Sequence, residues 1–254
     1  MFEKFKIEAA TLESYLNSIY NGSLLFRYNY ERKWEDYYDN LLSVATGENG
    51  VVDGNMIKDF VFPLDDDYNV FISYSHNDAN LARNFAHYLS TSCGLKVFLD
   101  EFVWGSADKL LKTIDYKYCM NDDKSEYIYH RRNLSTSYVH ALLSMSIMDV
   151  ISRTECCIFI DSEHSIYLDN LQSGKEETLS PWLYEEIRFM NQLPKQAIKR
   201  TRYYSREGLN ESFMMKLAVD TSGFHSLSSF TLSLLNQNKG TKGLDIIYDM
   251  CKIY

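Results

Sequence analysis

Proline is scarce in this chain, with 3 residues in 254, and so little of it disfavours disorder. Basic charge is also short. Lysine and arginine number 26 against 35 aspartates and glutamates, giving a formal net charge of −9 and a pI near 5.2. Broad binding to nucleic acid or to an anionic membrane needs a basic surface, so neither is expected. A local basic patch at Lys195, Lys199, Arg200 and Arg202 reads as a solvated helix end. The 5 cysteines, at 93, 119, 156, 157 and 251, have no metal-ligand spacing. Their odd count, with Cys156 and Cys157 adjacent in an apolar run, suits reduced thiols in a cytosolic protein. The 6 histidines form no close pair, so no metal site is expected. No apolar run reaches membrane-spanning length, and the N-terminal stretch Met1 to Ile7 lacks the apolar core of a signal peptide. A cytoplasmic location follows as the expectation.

What is abundant is aromatic: 20 tyrosines and 14 phenylalanines. With 45% hydrophobic and 24% charged residues the composition is that of a globular protein. The length allows one large domain, or one domain with an appendage.

Residues 1 to about 45 read as helical. Leu12, Tyr15, Leu16, Ile19 and Tyr20 share one helix face, and Trp34, Tyr37, Tyr38, Leu41 and Leu42 repeat the spacing. Gly47, Gly50 and Gly54 mark a loop; no strand precedes them and no Lys-Ser or Lys-Thr follows, so they are not a phosphate loop. The run Val70-Phe71-Ile72-Ser73 after Asp65-Asp66-Asp67 reads as a buried parallel strand. A helix follows at once, with Leu81, Phe85, Tyr88 and Leu89 on one face. Lys96 to Asp100 reads as a second strand entered by a turn at Gly94. The segment Glu101 to Asp108 reads as a loop, and residues 116–137 as an insertion with local helix at best. Val139, Leu142, Leu143, Ile147, Val150 and Ile151 mark an amphipathic helix, and Cys156 to Ile160 a third buried strand.

A polar loop from Glu163 to Leu179 leads to Ser180-Pro181, a good helix start. Weak strand signals lie near Arg202 to Tyr204 and Met215 to Val219, with closing helices near Leu227 to Leu235 and Leu244 to Ile253. The alternation predicts an α/β fold, a three-layer parallel sheet with helices on both faces. The expected division is a helical N-terminal extension over 1–66, the α/β domain over 67–205, and a C-terminal strand and helix extension over 206–254.

In open α/β sheets the ligand crevice lies beyond the carboxyl ends of the strands, which places Tyr74, Ser75 and His76 where a small molecule would be held. Glu186 is the first candidate for catalysis. It follows Trp182 by one helical turn, so indole and carboxylate project from one face. A carboxylate beside an aromatic wall can hold a sugar hydroxyl and stabilise the positive charge that develops at an anomeric carbon.

Several separated stretches together resemble the Toll/interleukin-1 receptor (TIR) domain family. Val70 to Ser75 matches the family's first strand and turn. Val97-Phe98-Leu99-Asp100 matches the second strand and the aspartate leading into its mobile loop. Ile158 to Ser162 is similar to a later strand that ends in serine. Ser180, Trp182 and Glu186 match the helix in which enzymatic members carry the catalytic glutamate four residues after a tryptophan. The resemblance covers roughly residues 68–205 and implies a flavodoxin-like sheet. Where members often have a basic residue after the first-strand tyrosine, this chain has Ser75-His76.

Active members cleave NAD+ at the nicotinamide–ribose bond, releasing ADP-ribose or a cyclic isomer used as a signal. The resemblance thus implies Glu186 as catalytic residue, with Tyr74, Ser75, Asp100, Trp104, Gly105, Ser106 and Trp182 lining the pocket. NAD+ is then a substrate, and neither a cofactor nor a metal is called for. The nearest likeness is to TIR proteins of bacterial anti-phage systems of the Thoeris type. It implies self-association through TIR domains and a downstream effector reached through a nucleotide product. Competing readings are a non-catalytic interaction module acting by self-assembly, which would not need Glu186, and a deoxyribosyltransferase-like enzyme. A phosphoacceptor receiver domain is disfavoured, because the first strand lacks an acidic pair near its end.

Overall fold

A computed structural model describes residues 3–20, 41–47, 51–61, 68–168, 176–194, 217–218 and 220–250. The chain divides into two compact units. The first draws on Met1–Tyr28, Asp66–Leu99 and Met148–Tyr254; the second on Asn29–Asp65 and Asp100–Ile147.

The first unit is built on a five-stranded sheet with every pairing parallel. Its strands are β1 (Glu3–Glu8), β2 (Val70–Ser73), β3 (Val97–Leu99), β4 (Cys156–Asp161) and β8 (His225–Ser226), in spatial order β3-β2-β4-β1-β8. Cys156 to Ile160 are all fully buried, as expected of a central parallel strand covered on both faces. Helices α1 (Ala9–Tyr20), α4 (Ala79–Thr91), α8 (Ser229–Gln237) and α9 (Thr241–Met250) pack in this unit, and α1 meets both α4 and α8. The apolar positions of α1 and α4 fall at helical spacing, so Leu12, Leu16, Phe85 and Leu89 are buried. Gly94 turns the chain from α4 toward β3 at φ +71°, a conformation open to glycine.

The opposite face carries Phe71, Ser73, Cys157, Lys4 and Lys6. Side chains alternate along strands, and the register aligns Phe71 with Cys157 and Cys157 with Lys4. Helix α7 (Pro181–Gln192) lies here, with Asn191 accepting a hydrogen bond from Lys4. A small antiparallel sheet of β5 (Tyr167–Leu168), β6 (Glu176–Thr178) and β7 (Leu217–Ala218) flanks it. Lys6 joins the two sheets, 3.4 Å from Asp161 and 3.6 Å from Glu176.

The described residues of the second unit form the helices α2 (residues 41–45), α3 (Gly54–Val61), α5 (Glu101–Tyr118) and the start of α6 (Tyr129–Arg153), joined in part by bridged turns. Asp115, buried, receives the Arg132 Nε–H at 3.1 Å and the Ser135 hydroxyl, which fastens α5 to α6.

The α/β class expected from the sequence is the one observed. Several details differ. The N-terminal segment is not a helical extension: Glu3–Glu8 forms a strand inside the sheet, between β4 and β8. Its alternation of Phe5 and Ile7 with Lys4 and Lys6 places apolar groups on one face and ammonium groups on the other, beside acidic and amide partners. The units also do not follow the expected boundaries at 66 and 205, because both chain ends contribute strands to one sheet. Counted from β2, three positions follow the flavodoxin-like order 2-1-3, but β1 takes the fourth.

Glu101 to Asp108 is the start of helix α5, not a loop. Residues 116–137 are the end of α5, a short turn bridged at Met120 and Tyr127, and the first turns of α6. Asn121 and Asp123 accept the Ser125 N–H at 2.9 Å each and satisfy the turn's amides locally. Against the expectation that no apolar run is long enough, helix α6 has the length and composition to cross a membrane. More than half of its apolar window is buried inside the fold, in the manner of a core helix. The stretches around Trp34 to Tyr38, Lys195 to Tyr204 and Gly50 lie outside the described residues.

Candidate active site

The sheet order fixes where a ligand crevice belongs. From β2 the chain moves outward to β3, at one edge; from β4 it moves the other way, to β8. Adjacent strands whose continuations diverge leave a crevice beyond their carboxyl ends. By that rule it belongs between the ends of β2 and β4, at Ser73-Tyr74-Ser75 and Asp161-Ser162. All of these residues belong to the first unit.

Helix α7 delivers Glu186 to this place. Ser180 Oγ accepts the Leu183 N–H at 3.3 Å, and Pro181 takes the first turn, where no amide is needed. The helix ends at Leu193, in extended conformation before Pro194. Its buried stripe runs Leu183, Glu186, Ile187 and Met190, so a carboxylate occupies a position whose neighbours on the face are apolar. Glu186 is 3% exposed. Burying a carboxylate is costly unless it is hydrogen-bonded, and Ser73 Oγ donates to Glu186 Oε2 at 2.6 Å. Glu185 is half-exposed on the adjoining face. The helix orientation therefore selects Glu186 over Glu185 as the inward carboxylate.

The Glu186 charge is felt on the neighbouring strand. The Cys157 thiol is pushed well above its ordinary value, chiefly by burial and further by Glu186, with Lys4 acting in the opposite direction. Cys157 is thus a neutral packing group rather than a nucleophile. Beyond these strand ends, Ser162 Oγ donates to Asp78 Oδ2 at 2.5 Å. This bond links the end of β4 to the short 3-10 turn His76–Asp78 that follows β2. The turn is closed by the Asp78 N–H, which donates to the Ser75 carbonyl at 2.7 Å.

Of the residues singled out in the sequence, Tyr74 and Ser75 follow Ser73 at the end of β2, both buried. Trp182 is half-buried on the first turn of α7. Asp100 directly follows β3 and is buried, but with Trp104, Gly105 and Ser106 it belongs to the second unit. The last three lie in the opening turns of α5. Ser73, Asp78, Ser162 and Cys157 were not picked out from the sequence as site residues. Glu186 standing among apolar residues at helical spacing is a readable signal for the carboxylate. No comparable signal points to its hydroxyl partner, which reads as the end of a buried strand.

Compared with protein-family models, with characterised proteins and with solved structures, the chain finds no match.

Proposed function

We propose that this chain cleaves NAD+ at the bond between nicotinamide and ribose, with Glu186 as the catalytic carboxylate. The observation that carries the reading is Glu186 itself: 3% exposed, held by Ser73 at 2.6 Å, at the diverging ends of β2 and β4. A fixed carboxylate in a water-poor setting favours positive charge building on a nearby ring. In the cleavage, the C–N bond breaks with both electrons passing to the nicotinamide nitrogen, which leaves neutral. The ribose C1′ becomes oxocarbenium-like beside Glu186. Attack by water, with loss of its proton, gives ADP-ribose; attack by an adenine nitrogen of the same molecule gives a cyclic isomer.

The resemblance to TIR domains supports the same reading through the Trp182 to Glu186 spacing. It extends the proposal to self-association, a downstream effector reached through the nucleotide product, a role in anti-phage defence and a cytoplasmic setting. Tyr74, Ser75 and Trp182 are assigned to the substrate. Asp100, Trp104, Gly105 and Ser106 are assigned to it on the resemblance alone. The net charge of −9 argues against nucleic acid and anionic membranes as partners.

The test is incubation of the purified protein with NAD+ over a range of protein concentrations, with products identified by mass. Release of nicotinamide with ADP-ribose or its cyclic isomer is expected, reduced at least about 100-fold in Glu186→Gln and retained in Glu185→Gln. A folded Glu186→Gln variant with wild-type turnover overturns the assignment.

A further inference from the structure

Resting on Glu186 as the acting carboxylate, we propose that Ser73 is a positioning residue whose hydroxyl orients Glu186 and keeps it ionised in a dry setting. Ser73 is fully buried at the end of β2, after Val70, Phe71 and Ile72. Its Oγ lies 2.6 Å from Glu186 Oε2, within the range of a hydrogen bond to a charged oxygen. Two opposed effects act on the carboxylate. Burial favours the protonated form, whereas a donated hydrogen bond favours the ionised one. The hydroxyl adds weight to the ionised form, and it also fixes which carboxylate oxygen faces the strand end.

The other charged or titratable groups come from several elements. Lys4 and Lys6 lie on β1, Cys157 on β4, and Glu176 and Glu177 on β6; Glu185 and Arg188 share the helix. Lys6 is engaged by Asp161 and Glu176, and Lys4 by Asn191. A substitution at Ser73 leaves all of these in place, so a change in Glu186 titration reports on the hydroxyl.

The experiment compares Ser73→Ala and Ser73→Thr with the parent by two readouts. One is the carboxyl signal of Glu186 in protein labelled with ¹³C-glutamate, assigned by its loss in Glu186→Gln and followed through a pH titration. The other is the pH profile of nicotinamide release. In Ser73→Ala the Glu186 midpoint is expected to rise by about one unit. The acid limb should rise with it, lowering the rate about 10-fold at a given pH on that limb, with KM little changed. Ser73→Thr, which keeps the hydroxyl, should restore both. Should the alanine variant not fold, Ser73→Cys, similar in size with a much weaker donor, is read the same way. An unchanged Glu186 midpoint in the folded hydroxyl-free variant overturns the proposal. A midpoint that shifts in a protein with no NAD+ cleavage supports Ser73 and overturns the glycosidic reading alone.

Discussion

Replacing Phe5 by alanine tests whether the N-terminal strand belongs to the core. The Phe5 side chain is fully buried, with its ring 6.1 Å from Tyr248 and nearly parallel to it. Its backbone aligns with Ile158 on one side and His225 on the other. Removing a fully buried phenylalanine costs about 3–5 kcal/mol, combining lost transfer energy with the cavity left behind. Against a total stability of about 5–15 kcal/mol, that is at least about a fifth of what holds the fold. For a chain of this size each kcal/mol moves Tm by about 2–4 °C, so a fall of roughly 6–20 °C is expected. Urea and thermal denaturation followed by far- and near-ultraviolet circular dichroism measure it, with exposed Ser14→Ala as the reference, expected within about 0.5 kcal/mol of the parent. A Phe5→Ala protein that melts with the parent refutes the placement of β1 between β4 and β8, because a residue on a detached extension is removable at little cost.

The Ser180→Ala variant loses the hydroxyl that caps α7 and should cost about 1 kcal/mol in denaturant titration; no change would mean the cap contributes nothing. Alanine at Gly243 would set its Cβ 2.5 Å from the Asn238 carbonyl oxygen and 3.2 Å from Leu235 Cα. The α8–α9 corner must then shift, and a loss of about 1–3 kcal/mol is expected in the same assay. Burial pushes the Cys93 thiol up from 9.0 to about 11. Between those values the folded chain holds a proton that the unfolded chain has released, so stability falls as pH rises through that window. Cys93→Ala should flatten the decline measured from pH 8 to 11, and an identical slope would contradict it.

The strands with continuous apolar runs were legible because parallel sheets bury both faces locally: Val70 to Ile72, Val97 to Leu99 and Cys156 to Ile160 all fall in strands. Helix α7 was legible from its start at Ser180-Pro181, and the one-turn spacing from Trp182 drew attention to Glu186, the carboxylate that the fold buries. Glu3–Glu8 was not. Four of its six residues are charged, and what makes them strand-compatible is supplied from afar. Fully buried Glu3 pairs with His225 at 2.7 Å, and Lys6 meets Asp161 and Glu176. Local periodicity contains none of that. The opening of α5 was misread for a related reason: Trp104-Gly105-Ser106 has weak helix propensity, and eighteen residues of continuous helix, Glu101–Tyr118, override it. Ser73 gave no sign of its role because a hydroxyl at a strand end becomes a partner only once α7 is laid across the sheet.

The position of β1 also sets a timetable for synthesis. Glu3 and its partner His225 are 222 residues apart. At about 5–20 residues per second, roughly 10–45 seconds pass between their emergence from a ribosome. Over most of that interval the first strand has no neighbour on either side, and β4, once made, presents an open edge to whatever strand is near. Closure by such distant contacts is intrinsically slow, so the newborn chain spends longest in the state most exposed to wrong pairing. The last of the described strands, two residues long, is the one that ends the wait.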